Sequence, residues 1–146
     1  MLKICTSLVL LLSAMTGTAQ PKVAEWRAEV NSSGDYVDIQ LIAELNKDWK
    51  IYSQFTEEGG PLPSSFEFEL PESVALVGDV KESENFRTEY SDLFEINVSS
   101  AKDEAVFTQR LSHGPEEEEI VIRIKYMCCD GLRCIPPTTE IIRLKI

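Results

Sequence analysis

Apolar and polar residues alternate along most of the chain with the period of two that is typical of half-buried β-strands. The clearest run joins Val37, Ile39, Leu41, Ala43 and Leu45, which would all project from one face of a single strand. Further runs of this kind lie at residues 26–30, 66–70, 94–98, 107–111, 120–124 and 142–146. No segment combines a helical period with helix caps. The pattern therefore predicts a chain built from strands.

Turn-forming residues recur between these runs, at positions 31–35, 58–63, 70–72 and 113–115. About seven or eight short strands at this spacing predict an all-β domain, an antiparallel two-sheet sandwich of the immunoglobulin-like type. A closed barrel is the competing all-β architecture. The sequence holds no internal repeat and no linker long enough to separate domains.

The N-terminus has the organisation of a secretory signal peptide. Lys3 gives a positive start, residues 4–15 form an apolar stretch, and small residues lead up to Ala19. A buried N-terminal helix is the competing interpretation, and the stretch is too short to span a membrane. We predict a leader at residues 1–19, one domain at residues 20–146, and export to the periplasm without membrane insertion.

The charge balance limits the partners of the chain. Lys and Arg total 14 against 25 Asp and Glu, which gives a net charge of −11 at pH 7. Nucleic acids and anionic lipids both require a basic face, so we expect neither as a partner. The acidity is diffuse apart from the run at residues 116–119, which is typical of a solvated turn.

Three of the four cysteines lie within seven residues, in the segment YMCCDGLRCIPP at positions 126–137. Cys5 belongs to the predicted leader, so Cys128, Cys129 and Cys134 remain in the exported chain. An odd number of cysteines in an exported protein means that at least one thiol is free or forms an intermolecular bond. This count favours a reactive cysteine over a purely structural framework.

Cys129 and Cys134 flank four residues between two predicted strands, at the mouth of a hairpin. Paired residues there bring their Cα atoms to about 5.5 Å, a spacing that suits a disulfide. The double proline that follows prevents a helix, so no helix N-terminus lowers the thiol pKa, and neighbours such as Arg133 and Lys125 would adjust it. Cys128 would face the other side of its strand as a small buried residue. A Cys128–Cys134 pairing remains the alternative.

Three interpretations of the cluster compete. A structural disulfide across so short a loop would contribute roughly 2 kcal/mol. A metal site would have to use Cys128, Cys129, Cys134 and His113, but adjacent strand residues project to opposite faces, which disfavours a shared tetrahedral centre. We favour the third interpretation, a redox-active pair that exchanges disulfides with other proteins. That chemistry requires neither a metal nor another cofactor.

Segment 126–137 resembles the active-site segment of the N-terminal periplasmic domain of DsbD, the transmembrane thiol:disulfide interchange reductase. The family's motif is an aromatic residue, two further positions and a cysteine, then a short gap and Cys-hydrophobic-Pro-Pro. Tyr126 with Cys129, and the segment from Cys134 to Pro137, match that motif. Residues 49–53, 60–68 and 89–95 also resemble the family, so the resemblance covers nearly all of residues 20–146.

The resemblance implies an immunoglobulin-like fold and a thiol–disulfide oxidoreductase of the protein-disulfide reductase type. Such domains receive electrons from a membrane-embedded thiol reductase and pass them to periplasmic thiol–disulfide proteins. It implies that Cys129 forms the mixed disulfide and Cys134 resolves it. It also implies an aromatic cap over the disulfide, for which Phe86 is the candidate. The residues expected to line the same end of the sandwich are Tyr52, Tyr90 and Tyr126.

Two departures from the family pattern affect this interpretation. Cys128 is additional to the pair and is a possible extra thiol. The sequence also contains neither the membrane domain nor the C-terminal thioredoxin-like domain of DsbD, so we expect a free-standing version that a separate membrane protein reduces. The main alternative is a non-enzymatic immunoglobulin-like binding or assembly module whose disulfide is only structural.

Overall fold

The computed structural model describes residues 22–146, so the predicted leader, including Cys5, lies outside the described residues. All regular elements of the described part are strands, and none of its segments forms a helix long and apolar enough to cross a membrane. The strands are β1 (Ala24–Ser33), β2 (Tyr36–Leu45), β3 (Lys50–Tyr52), β4 (Ser65–Glu69), β5 (Ala75–Glu82), β6 (Arg87–Ser91), β7 (Ile96–Lys102), β8 (Glu104–Ser112), β9 (Glu119–Tyr126), β10 (Cys128–Cys129) and β11 (Thr138–Lys145). The prediction of an all-β chain is confirmed.

The strands form three antiparallel sheets with the orders β1-β2-β8-β5, β10-β3-β7-β6 and β11-β9-β4. One main hydrophobic core draws side chains from all three, among them Phe107 of the first sheet, Ile51 of the second and Ile122 of the third. The first sheet therefore packs as one layer against a second layer made by the other two. Each sheet keeps open edge strands, so the architecture is a sandwich and not a closed barrel.

The central strand β2 shows how the alternating sequence builds this core. Val37, Ile39, Leu41 and Ala43 are all fully buried, whereas Asp38 between them points outward. The strand pairs along its whole length with β1 on one side and with β8 on the other. Because both neighbours supply hydrogen bonds, the backbone of this buried strand is paired on both sides.

Within the second layer, the chain passes from the third sheet to the second sheet at a single residue. Strand β9 ends at Tyr126 and β10 begins at Cys128, so Met127 separates a strand of the third sheet from a strand of the second. In β10, Cys128 lies opposite Ile51 and Cys129 lies opposite Lys50 of β3. Successive strand residues project to opposite faces, so this pairing directs Cys128 toward the core and Cys129 away from it.

Candidate functional site

The segment after β9 forms a tight hairpin that brings two cysteines together. The backbone N–H of Asp130 donates to the carbonyl of Arg133 at 3.0 Å, and the N–H of Ile135 donates to the carbonyl of Cys128 at 2.9 Å. These bonds flank Cys129 and Cys134, which therefore form a non-hydrogen-bonded pair, the position where antiparallel strands come closest. Their Cα atoms are 4.0 Å apart and their sulfur atoms are joined in a disulfide.

The side chain of Asp130 holds the turn between the two cysteines. Its carboxylate accepts hydrogen bonds from the backbone N–H groups of Arg133 at 2.9 Å and Leu132 at 3.0 Å, and from Nε of Arg133 at 3.1 Å. These bonds hold the pKa of Asp130 below its ordinary value of 3.8, and the bond from the backbone N–H of Arg133 has the largest effect. Gly131 takes a left-handed φ of 92°, which a residue without a side chain adopts at little cost.

The Arg133 guanidinium makes a second contact that anchors the hairpin. Its central carbon lies 5.8 Å from the centre of the Trp49 ring, a cation–π arrangement, while its Nε is bonded to Asp130. Trp49 precedes β3 directly and packs into the main core. The turn is thus fixed to the body of the domain by contacts that do not involve the disulfide.

The three cysteines of the segment have different surroundings. Cys128 is a free thiol, fully buried in the main core, and burial raises its pKa to about 12. Cys129 is 1% exposed and belongs to a second, smaller hydrophobic cluster with Tyr52 and Val98. Cys134 is partly exposed and packs against that smaller cluster. The disulfide therefore lies outside the main core.

An aromatic ring from the turn between β6 and β7 also packs against the smaller cluster. Phe94 meets the Tyr52 ring edge-on with 6.1 Å between the ring centres. The turn is closed by the Glu95 N–H, which donates to the Ser91 carbonyl at 2.7 Å, and Glu95 has a left-handed φ of 57°. This tight turn directs Phe94 inward. The sequence pattern placed Phe94 within a strand and gave no signal for this role.

A cavity of about 180 Å³ opens beside the disulfide hairpin. Gly131 of the hairpin, Tyr52 and the turn residues Tyr90 and Leu93 form part of its wall. Lys50, which lies opposite Cys129 in the sheet, also lines the cavity. Its Nζ is 3.3 Å from a carboxylate oxygen of Glu89, so its charge is neutralised within the site.

The predicted aromatic residues are divided between two places. Tyr52 and Tyr90 lie at the cavity beside the hairpin. Tyr126 is buried in the main core, with its ring centre 5.3 Å from that of Trp26. Phe86 also packs against the main core, 5.6 Å from the Phe107 ring. Phe94 is the aromatic turn residue that packs against the cluster of the disulfide, and the role of Phe86 as the cap stays a prediction.

The four residues of the metal interpretation do not converge. Cys129 and Cys134 are bonded to each other, Cys128 lies in the main core, and the backbone N–H of His113 donates to the carbonyl of Asp35 in the β1–β2 turn at 3.1 Å. Within residues 22–146, no three His, Cys, Asp or Glu side chains are grouped so that they could hold a metal ion.

Fold and site together define an antiparallel β-sandwich that carries a disulfide hairpin on the outer side of one sheet. No protein-family model matches the chain, and no curated protein does. Solved structures of other proteins do match the chain. The N-terminal periplasmic domain of ScsB from Proteus mirabilis matches with a TM-score of 0.64 and 21% identity, over 85% of this chain and 47% of that chain. This chain thus spans about half the length of the ScsB structure.

A second match is the reduced form of the DsbD N-terminal domain from Neisseria meningitidis, with a TM-score of 0.55 and 13% identity. It covers 82% of this chain and 83% of that domain. The chain therefore has the immunoglobulin-like fold of a DsbD-like N-terminal domain, which confirms the fold that its sequence predicted.

Proposed function

We propose that the chain is an exported thiol–disulfide exchange module that relays electrons through Cys129 and Cys134. A membrane-embedded thiol reductase would supply the electrons, and periplasmic thiol–disulfide proteins would receive them. The sequence resemblance to DsbD and the fold shared with its N-terminal domain support this direction of transfer. The periplasmic location rests on the predicted leader and on the periplasmic origin of the ScsB domain.

The position of the disulfide is the observation that carries the proposal. The bond closes a hairpin with a sequence separation of 5 and lies outside the main core, and Gly131 of the same hairpin lines an open cavity. A disulfide across so short a loop removes little entropy from the unfolded chain, roughly 2 kcal/mol. A sandwich with a continuous main core does not depend on that amount. Accessibility to a partner explains this position better than stabilisation does.

The proposed reaction transfers two electrons and two protons. In the reduced protein, one thiolate attacks a sulfur of the partner's disulfide and releases one partner thiol, which leaves a mixed disulfide. The second cysteine then attacks the mixed disulfide and releases the other partner thiol. The products are a reduced partner and an intramolecular Cys129–Cys134 disulfide. The membrane reductase would return two electrons and two protons and restore the dithiol.

We infer that the partner bonds to Cys134. Thiol–disulfide exchange needs direct access to the attacking sulfur. Cys134 is partly exposed, whereas Cys129 is 1% exposed and enclosed by Tyr52 and Val98. The family resemblance implied the reverse order, with Cys129 as the attacking residue. Relative burial favours Cys134 as the first sulfur and Cys129 as the resolving one.

A redox titration tests the exchange function. The protein is equilibrated in buffers of defined dithiol potential, free thiols are blocked, and the cysteines are mapped by peptide mass. We expect reversible Cys129–Cys134 pairing between about −300 and −180 mV, the range of exchange-active disulfides. A bond that stays closed well below about −300 mV would mean a structural disulfide and would overturn the relay.

Trapping with two single variants tests the order of attack. Cys129→Ser leaves Cys134 as the only cysteine of the pair and is expected to accumulate mixed disulfides with exported proteins. Cys134→Ser leaves only the enclosed Cys129 and is expected to accumulate far fewer. The reverse result would restore the order implied by the resemblance. Absence of adducts in both variants, from cells with an active membrane reductase, would contradict the relay itself.

A further inference from the structure

Three exposed apolar side chains lie on the disulfide hairpin or at the cavity that its Gly131 lines. Leu132, at the tip of the hairpin, is 92% exposed, and Tyr90 and Leu93 are 63% and 54% exposed. Tyr90 and Leu93 line the cavity together with Gly131, the neighbour of Leu132. We call Tyr90, Leu93 and Leu132 the apolar rim. Large exposed apolar side chains grouped at one place on a soluble domain mark an interaction surface.

The charges at this rim are not balanced. Both basic residues of the site are already paired, Lys50 with Glu89 and Arg133 with Asp130. The turn that carries Leu93 also carries Asp92 and Glu95, and neither forms an ion pair with any residue of 22–146. The uncompensated charge of the turn that carries Leu93 is therefore negative, as is the net charge of −11 of the whole chain.

We propose that the apolar rim, with Asp92 and Glu95, docks a partner whose disulfide is flanked by apolar and basic side chains. The proposal rests on the exchange function proposed above and specifies the chemistry of its acceptor. Complementary charges raise the rate of encounter, and an apolar contact extends the lifetime of the encounter complex. Tyrosine and leucine next to the reactive bond would hold the partner's sulfur atoms near Cys134.

Peptide disulfides of defined charge can test this preference. Three five-residue peptides are prepared as dimers joined by one disulfide, with the central cysteine flanked by leucine and by lysine, glutamine or glutamate. Each dimer accepts two electrons and two protons from the reduced protein and yields two peptide thiols. The measured quantity is the rate of oxidation of the Cys129–Cys134 dithiol. Each rate is divided by the rate at which dithiothreitol, a neutral dithiol, reduces the same peptide dimer, which removes differences in intrinsic peptide reactivity.

We expect the lysine peptide to react about tenfold faster than the glutamate peptide at low salt after this normalisation. The ratio should fall toward one at about 1 M salt, where charges are screened beyond about 3 Å. The double variant Asp92→Asn/Glu95→Gln should lose most of the preference. The control Glu72→Gln/Glu116→Gln changes the net charge equally, at exposed positions that form no side-chain ion pair, and should retain it.

A separate substitution tests the apolar part of the docking surface. Leu93→Ser should slow the normalised reaction with all three peptides. Leu76→Ser is the matched control, because Leu76 is 50% exposed but lies on β5 of the other layer. Equal normalised rates for the lysine and glutamate peptides, or equal effects of the two double variants, would overturn the docking proposal alone. A dithiol that no peptide oxidises would overturn the exchange function as well.

Discussion

Cys128 and Cys129 are consecutive residues of β10, yet their side chains belong to two different hydrophobic clusters. The Cys128 thiol is enclosed in the main core, and Cys129 lies in the smaller cluster on the opposite face of the same strand. The pairing of β10 with β3 fixes this division, because a register shift by one residue would exchange the two positions. The extra thiol is therefore kept away from the disulfide by strand geometry.

We expect Cys128 to be unreactive in the folded protein. Its thiol is buried and its pKa is raised to about 12, so almost no thiolate is present at neutral pH. The test uses Cys129→Ser/Cys134→Ser, which leaves Cys128 as the only thiol of residues 22–146. Iodoacetamide should modify it only after unfolding in urea. Rapid modification of the folded protein would contradict the separation of the two clusters.

The same buried thiol should lower the stability of the domain at alkaline pH. Between the ordinary value of 9.0 and about 12, the Cys128 thiol ionises in the unfolded chain but stays protonated in the folded one. The unfolded state then binds fewer protons, so the free energy of unfolding falls as the pH rises through this window. In a Cys129→Ser/Cys134→Ser background, we compare the protein with Cys128 and its Cys128→Ala variant. The free energy of unfolding should fall less in Cys128→Ala between about pH 8 and about pH 10.5.

Urea unfolding at the two pH values checks this prediction, and the serine background prevents disulfide exchange in the unfolded chain. Burial also raises the pKa values of Tyr52 and Tyr126 in both proteins, and the charge of Cys128 raises them further, a part that Cys128→Ala loses in the same direction. At the lower pH, Cys128→Ala should cost about 1 kcal/mol because it removes a buried sulfur atom. An identical pH dependence in the two proteins would show that Cys128 ionises equally in both states.

Phe94 and Phe86 offer a matched pair for the cap hypothesis. Phe94 packs against the smaller cluster that contains the disulfide, whereas Phe86 packs against the main core. Phe94→Ala should therefore increase the rate at which dithiothreitol reduces the disulfide several-fold. Phe86→Ala should lower the free energy of unfolding, on the order of 2 kcal/mol for a partly exposed ring, and leave that rate unchanged. Faster reduction in Phe86→Ala alone would support Phe86 as the cap that the sequence suggested.

Regular alternation made most of the strands predictable. The run from Val37 to Leu45 lies in β2, and the runs at 107–111 and 120–124 lie in β8 and β9. These strands build the main core, where one buried face imposes a strict period. The hairpin that contains the cysteines was also predictable, because turn residues interrupt the alternation between two strands there.

The strands that the sequence did not predict have physical reasons for lacking a period. Strand β5 contains a register shift between Val77 and Lys81, and the buried Gln109 side chain donates to the carbonyl of Gly78 at 3.1 Å there. Strand β6 is an exposed edge, and β10 is only two residues long. Long-range packing alone decides whether Phe86 or Phe94 reaches the disulfide, and no local pattern encodes it.

Reduction of the disulfide should leave the domain folded. The bond closes a short loop outside the main core, so its loss should lower the free energy of unfolding by roughly 2 kcal/mol or less. Urea unfolding of the oxidised and reduced forms of Cys128→Ala, a background without the extra thiol, measures this difference. A much larger loss, or unfolding on reduction, would favour the alternative in which the disulfide is structural.

The Asp130 carboxylate should keep the two cysteines opposite each other after reduction. Its hydrogen bonds to the turn do not involve sulfur, so they persist in the dithiol and raise the effective concentration of one thiol near the other. Asp130→Asn weakens the ionic contact with Arg133. We expect the equilibrium with a dithiol buffer to shift toward the open dithiol by roughly two- to fivefold. Asp79→Asn, at an exposed position of β5, is the control and should leave the equilibrium unchanged.

The ionisation of Asp130 gives an independent measurement on the same turn. Because its pKa is lowered, the stabilisation of the turn is present above the ordinary value of 3.8 and is lost as the pH falls through the lowered value. In an NMR titration, the amide protons of Leu132 and Arg133 should therefore move together with a midpoint below 3.8. A midpoint at the ordinary value, together with an unchanged redox equilibrium in Asp130→Asn, would show that the carboxylate does not organise the hairpin. The turn geometry would then depend on the disulfide itself.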